Sequence, residues 1–280
     1  MFATIALGTA VPVDAGWTFA PIVLLALASY AGIYIWRWRI SRAEGGARAA
    51  PVSKLVLWLT GVFCLFLALV SPIDRLGEEF ASAHMIQHLL LADIVPICLI
   101  LALTKHILRP ATRRIQWFER SAGPLAHPAV GVIAYVAAMW FWHIPALYES
   151  ALNHSFVHVI EHTTFFAAGL LYWWYLLSPI RSRMRLGGLG PVLYMASTKI
   201  LVGFLGILLA FSPVVLFHYY EAGPGSTRWG LSALDDQRVA GLIMALEQSI
   251  VMRIALAYLF VRMLVESEEE DRRAERYDVV

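Results

Sequence analysis

The sequence predicts an all-α fold, a polytopic membrane protein of seven transmembrane helices with its N-terminus outside and its C-terminus cytoplasmic. Composition is the first observation behind this reading. Of 280 residues, 59% are hydrophobic and only 15% charged, where soluble domains run near a quarter charged. The second is a set of seven apolar runs, at 18–37, 54–71, 82–103, 128–143, 155–177, 190–213 and 237–263. Each approaches the ~20 residues needed to cross a bilayer. Lipid offers the backbone no partners, so such runs must be helical. The third is charge sidedness. Loops after the first, third, fifth and seventh runs hold seventeen Lys and Arg (Arg37 to Lys54, Lys105 to Arg120, Arg181 to Arg185, Arg262 to Arg276). The opposite side holds Arg75, Arg228 and Arg238. The positive-inside rule then sets the orientation.

Element by element, the breakers agree. Pro21, Pro128 and Pro191 open the first, fourth and sixth runs; Ser71-Pro72, Ser178-Pro179 and Ser212-Pro213 close the second, fifth and sixth. Ser232 to Asp235 has capping-box spacing ahead of the seventh. Pro96, inside the third run, predicts a kink. Residues 1–265 read as one membrane domain and the acidic and basic stretch 266–280 as a solvated cytoplasmic tail. Met1–Gly16 lacks a positive n-region and reads as a short external lead-in rather than a signal peptide. Cys64 and Cys98 lie in spans without a CxxC pair and read as small apolar filler.

The histidines oppose the Lys/Arg pattern. His106 and His127 fall near a cytoplasmic loop, whereas His84, His88, His143, His154, His158, His162 and His218 map to the external ends of spans three to six. His84 and His88 are one turn apart with Met85 beside them; His154, His158 and His162 form a ladder of four-residue steps. His143 ends span four one turn above Met139, and Asp235 and Asp236 open span seven with Met244 about two turns deeper. Such groups converge on one external pocket if the helices bundle. A polar side chain in a span needs a partner or a wet cavity, which makes the inner members a site hypothesis. His154 and His218 sit highest, where headgroups and water account for them. Neutral imidazoles suit zinc, copper, iron and nickel, and the methionines tilt the choice to copper, Cu(I) or Cu(II), with zinc as the alternative.

Other ionisable residues in the spans are Asp93, Glu161, Lys199, Glu247 and Arg253. Their simplest role is structural pairing, Asp93 with Lys199 first. Other chemistries are open at this level. His158-Val-Ile-Glu161-His162 matches H-x-x-E-H, a zinc-hydrolase signature with Glu161 as base. Di-iron oxygenases and haem cytochromes also use helical histidines, the former on the cytoplasmic face. No P-loop, no G-x-S-x-G and no basic nucleic-acid surface occurs.

Taken in order, SPIDRLGEEFASAHMIQHLLL, FWHIPALYESAL, VHVIEHTTFFAAGLLYWW and DDQRVAGLIM resemble the multi-pass CtaG-type cytochrome c oxidase assembly factors, from about residue 70 to 260. The resemblance implies a non-enzymatic role in building an oxidase copper centre: binding copper on the outer side of a bacterial inner membrane and passing it on. By position it points to His84, Met85, His88, His143, His158, His162, Asp236 and Gln237, with His154 at the margin of the pattern. The implied partners are an oxidase subunit or a soluble periplasmic copper carrier, besides membrane lipid. A copper transporter or copper-resistance protein is the alternative, and a metal-free assembly scaffold another. Transport needs ligands continuing inward, where only Met195, Met252, Cys98 and buried charges are available.

Overall fold

A computed structural model describes residues 13–180, 186–187, 189–222 and 230–278. Arg181, Arg183, Arg185, Arg228, most of the lead-in and the Met252 side chain lie outside them. Every regular element among the described residues is helical. In chain order these are α1 (Pro21–Ala49), α2 (Val52–Val70), α3 (Pro72–Glu79) and α4 (Ala81–Leu89). A π-turn (Leu90–Ile94) joins α4 to α5 (Val95–Ala102). Then come α6 (Lys105–Ala122), α7 (Pro128–Trp142), α8 (Pro145–Asn153), α9 (Ser155–Leu177), α10 (Gly190–Phe211), α11 (Tyr219–Ala222) and α12 (Ala233–Asp278).

Among the described residues, five helical segments are long and apolar enough to cross a membrane: Pro21–Ala49, Val52–Val70, Ala81–Ala102, Gly190–Phe211 and Ala233–Val261. A sixth counts if Lys105–Ala126 and Pro128–Trp142, bent by 72°, form one span. The expected fourth span is therefore a helix of only 15 residues, α7. The expected fifth is α9, with 23 residues but with Glu161, three histidines at or near its start and a Tyr-Trp-Trp-Tyr run that lower its apolarity. Outward-facing Ile22, Ile200, Phe204, Phe211 and Ile254 are all more than half exposed, a surface suited to lipid. The chain is a helical membrane protein.

One loop is not a loop. The basic stretch 103–127 contains α6, capped by the Thr104 hydroxyl, which accepts from the Ile107 N–H at 3.2 Å. Its Trp117 and Phe118 are exposed alongside Arg113 and Arg114, the pattern of a helix lying in an interface. The tail likewise continues α12 as helix to Asp278.

Two sets of contacts fix which end of the bundle is which. At one end Lys54 Nζ donates to the Leu101 carbonyl at 2.6 Å, and Arg37 donates to the carbonyls of His106 and Ile107. At the other, Gln87 Nε2 donates to the Ala68 carbonyl at 2.7 Å and to Asp74 at 2.9 Å. Helix α2 and the α4–α5 segment thus run antiparallel, with cations at one end and His84 and His88 at the opposite end.

The expected kink at Pro96 takes a specific form. Proline has no N–H for the Ala92 carbonyl, and the chain answers with the π-turn, in which the Val95 N–H bonds back to Leu90. Helix α9 presses against this turn. A Cβ on Gly169 would collide with the Ala92 carbonyl, so only glycine permits the approach. Gly206 of α10 and Gly241 of α12 meet in the same way; a Cβ on Gly206 would lie 3.0 Å from the Gly241 oxygen.

The π-turn also aims Asp93 inward, five residues beyond His88. Tyr135 donates to Asp93 Oδ2 at 2.6 Å and Trp173 Nε1 to Oδ1 at 2.8 Å. Glu247 of α12 comes within hydrogen-bonding reach of Asp93. These partners replace the expected pairing with Lys199: neutral donors from α7 and α9 reach the carboxyl in the core.

Candidate metal centre

Above this network, two helices deliver donor side chains to one buried chamber. Helix α4 supplies His84 and His88 from consecutive turns. Helix α9 supplies His158, Glu161 and His162, which at i, i+3 and i+4 share one face. His84, His88, Glu161 and His162 each place one ligand atom within 4.8 Å of all the others. The His84 and His158 rings lie 5.4 Å apart and the His158 and His162 rings 4.0 Å, so His158 borders the same group. Glu161 is 0% exposed and His84 1%.

The chamber is short of partners. Both ring nitrogens of His84 and of His88, Nε2 of His158 and of His162, and both oxygens of Glu161 are buried and make no hydrogen bond. Glu161 stands 3.6 Å from the Nε2 atoms of His84 and His88. That is too long for a hydrogen bond and suits two donors sharing an ion, since metal–N and metal–O bonds of ~2.0 Å give edges of this order. Buried polar groups are otherwise almost always satisfied. Three or four imidazoles with one carboxylate fit copper or zinc and leave room for an exogenous ligand.

Local structure holds the chamber in shape. Asp236, expected as a ligand, lies outside the donor group. Its carboxylate accepts from the Ala81 N–H at 2.6 Å, from the Ser82 N–H at 3.2 Å and from the Ser82 hydroxyl. Those amides are orphan donors at the start of α4, so Asp236 caps from α12 the helix that bears His84 and His88. Gln237 Oε1 accepts from the Leu216 N–H at 2.6 Å, and its amide donates to the Val214 carbonyl. It fastens the segment before α11.

That segment covers the chamber. Phe217 stacks on Tyr148 at 4.0 Å, and the Tyr148 ring lies 5.1 Å from His84. Tyr148 donates to Tyr220, which donates to the Gly77 carbonyl at 2.9 Å. Phe165 packs under His88 at 4.2 Å. His154 and His218 are exposed and take no part: His154 bonds the Ser150 carbonyl and His218 pairs with Glu221 at 2.7 Å.

His143 and Met85, also expected here, face each other beside the group, Nε2 to Sδ 3.3 Å. Met139 contributes its carbonyl, bonded to His143 Nδ1 at 2.6 Å, rather than its sulfur. Two features escape the sequence reading. Glu161 joins the donors, which the i, i+3, i+4 spacing of H-x-x-E-H signals; the Tyr148–Phe217–Tyr220 cover depends on packing between distant segments and has no local signal.

Comparisons with known proteins give this chain relatives and a family. An uncharacterized protein of Mycobacterium bovis is 25% identical over 234 residues, 78% of this chain and 34% of that protein. A Mycobacterium tuberculosis counterpart matches to the same extent, and one from Mycobacterium leprae is 23% identical over 239 residues, 80% of this chain and 35% of its own. The chain thus spans about a third of the length of these curated relatives. No solved structure matches. The pattern of the cytochrome c oxidase caa3 assembly factor family (Caa3_CtaG) matches residues 32–266, the stretch that holds α4, α7, α9 and the first part of α12, and the chain belongs to that family.

Proposed function

We propose that this protein takes up copper from the outer side of a bacterial inner membrane and delivers it to a cytochrome c oxidase copper centre. The metal rests on His84, His88, His158, His162 and Glu161. The observation that carries this reading is the group of eight buried, unpartnered donor atoms from α4 and α9, in a chain of an oxidase-assembly family. Met85 beside the group favours copper over zinc. Copper is cargo here; it leaves by ligand exchange with an oxidase subunit or a soluble periplasmic carrier, and no covalent chemistry is assigned to the protein.

The same reading takes α7 and α9 as spans. The protein then crosses the membrane seven times, N-terminus outside, with α6 lying on the cytoplasmic surface. The opposite placement of Lys54 and of His84 along α2 and α4–α5 supports this sidedness. Delivery is favoured over transport because the aromatic Phe165 packs beneath the chamber and both oxygens of Asp93 further in are already hydrogen-bonded.

Metal analysis of protein purified without chelator tests the site. Copper is expected in the wild type, and the copper held by the chamber is expected to be lost from His88→Ala with His158→Ala. Copper flux across proteoliposomes tests delivery against transport; none is expected, and flux above the protein-free background overturns delivery.

A further inference from the structure

Helix α7 stops at Trp142, and the chain turns at His143 towards α8. The His143 N–H caps this end by bonding the Phe141 carbonyl, so the Met139 carbonyl lacks its usual partner four residues on. The His143 ring supplies one, Nδ1 to oxygen at 2.6 Å. A carbonyl only accepts, so the ring proton sits on Nδ1 and Nε2 presents a lone pair. That lone pair points at Met85 Sδ, 3.3 Å away, which also carries no proton. Two acceptors face each other in a buried pocket, His143 6% and Met85 3% exposed. A hydrogen bond between them requires a doubly protonated ring beside Phe165 and Tyr148, a buried charge at high cost. A soft cation joins them directly. Bonds of about 2.0 Å to nitrogen and about 2.3 Å to sulfur span this separation at close to a tetrahedral angle.

This pair is separate from the chamber. Met85 follows His84 by one residue, about 100° around α4, so it faces α7 while His84 and His88 face α9. His143 is outside the four-residue donor group, its ring 6.2 Å from His88. Fixing one imidazole nitrogen on a backbone carbonyl while the other ligates is how proteins orient metal-bound histidine.

We propose that His143 and Met85 form a second site, selective for a soft monovalent cation such as Cu(I), next to the His84–His88–Glu161–His162 group. For the identity of the ion this rests on the copper reading above. Thioether and imidazole hold Cu(I) with at least one position open, which suits the last stop before an incoming ligand takes the ion.

The test is anaerobic Cu(I) titration of the full chain in detergent against a chromogenic Cu(I) chelator, with X-ray absorption on the loaded protein. Two equivalents per chain are expected, with one sulfur neighbour per two coppers. Met85→Leu, close to it in volume, should halve the copper bound and remove the sulfur signal; His143→Gln should do the same. His88→Ala with His162→Ala should remove the other equivalent and keep the sulfur-bound one. A wild type holding one equivalent, or Met85→Leu keeping two, overturns the second site and leaves the copper reading standing. A wild type holding none overturns both. Melting curves of each variant show that it is folded.

Discussion

The bundle buries two polar clusters a few turns apart, and they are built in opposite ways. Around Asp93, both carboxylate oxygens take a hydrogen bond, from Tyr135 and from Trp173. Around Glu161, neither oxygen does, nor do the facing nitrogens of four histidines. Both are buried and ionisable, so burial alone does not mark a functional site. The difference lies in what each has left over. Satisfied groups hold helices together; unsatisfied ones hold capacity for something that arrives later.

Variants in the two clusters should therefore diverge. The largest effect is expected from His88→Ala with His162→Ala: the chamber's equivalent of copper is lost and only the sulfur-bound one remains, while the melting temperature of metal-free protein stays level or rises, because unpartnered polar atoms are replaced by apolar ones. A clear loss of metal-free stability would erase the distinction between the clusters. Asp93→Leu should do the reverse, keeping the metal and lowering stability by about 3 kcal/mol as Tyr135 and Trp173 lose their acceptor, measured by denaturation in detergent. Gly169→Ala forces α9 off the Ala92 carbonyl, a destabilisation of about 1–3 kcal/mol with weaker metal affinity, since the donors on α4 and α9 move apart. Asp236→Ala removes a helix cap, costing about 0.5–2 kcal/mol; copper stoichiometry is unchanged, and loss of an equivalent would return Asp236 to the ligands.

The smallest effect is at the rim. The Glu221 carboxylate beside His218 raises the imidazole above its ordinary value by accepting its hydrogen bond. The pair is thus complete at low pH and fades as pH rises through the raised value. An NMR titration of His218 should return to the ordinary histidine range in Glu221→Gln, with metal content and melting temperature unmoved because the ring is exposed.

Helix existence was legible because lipid forces apolar runs into helices: 82–103 against Ala81–Ala102 and 155–177 against Ser155–Leu177 agree closely. So was the convergence of His84 and His88 with His158 and His162, since helical spacing fixes which residues share a face. What lies between helices was not. Asp236 looks like a ligand in sequence and serves as a cap, because the orphan amides it meets belong to a segment 155 residues away. Lys199 looks like the partner of Asp93, yet Tyr135 and Trp173 reach it first. Basic residues 105–122 read as loop because their hydrophobicity is too low for a span, although Thr104 signals a helix start.

The contact of Gly169 with the Ala92 carbonyl has a mechanical consequence. It pins the two donor-bearing helices backbone to backbone just below the histidines, so these walls are held together. Movement is left to the roof: the Tyr148–Tyr220–Gly77 latch and the strap tied by Gln237 rest on a handful of hydrogen bonds. On the delivery reading proposed above, a docking client that competes for those few bonds would open the compartment without disturbing the bundle.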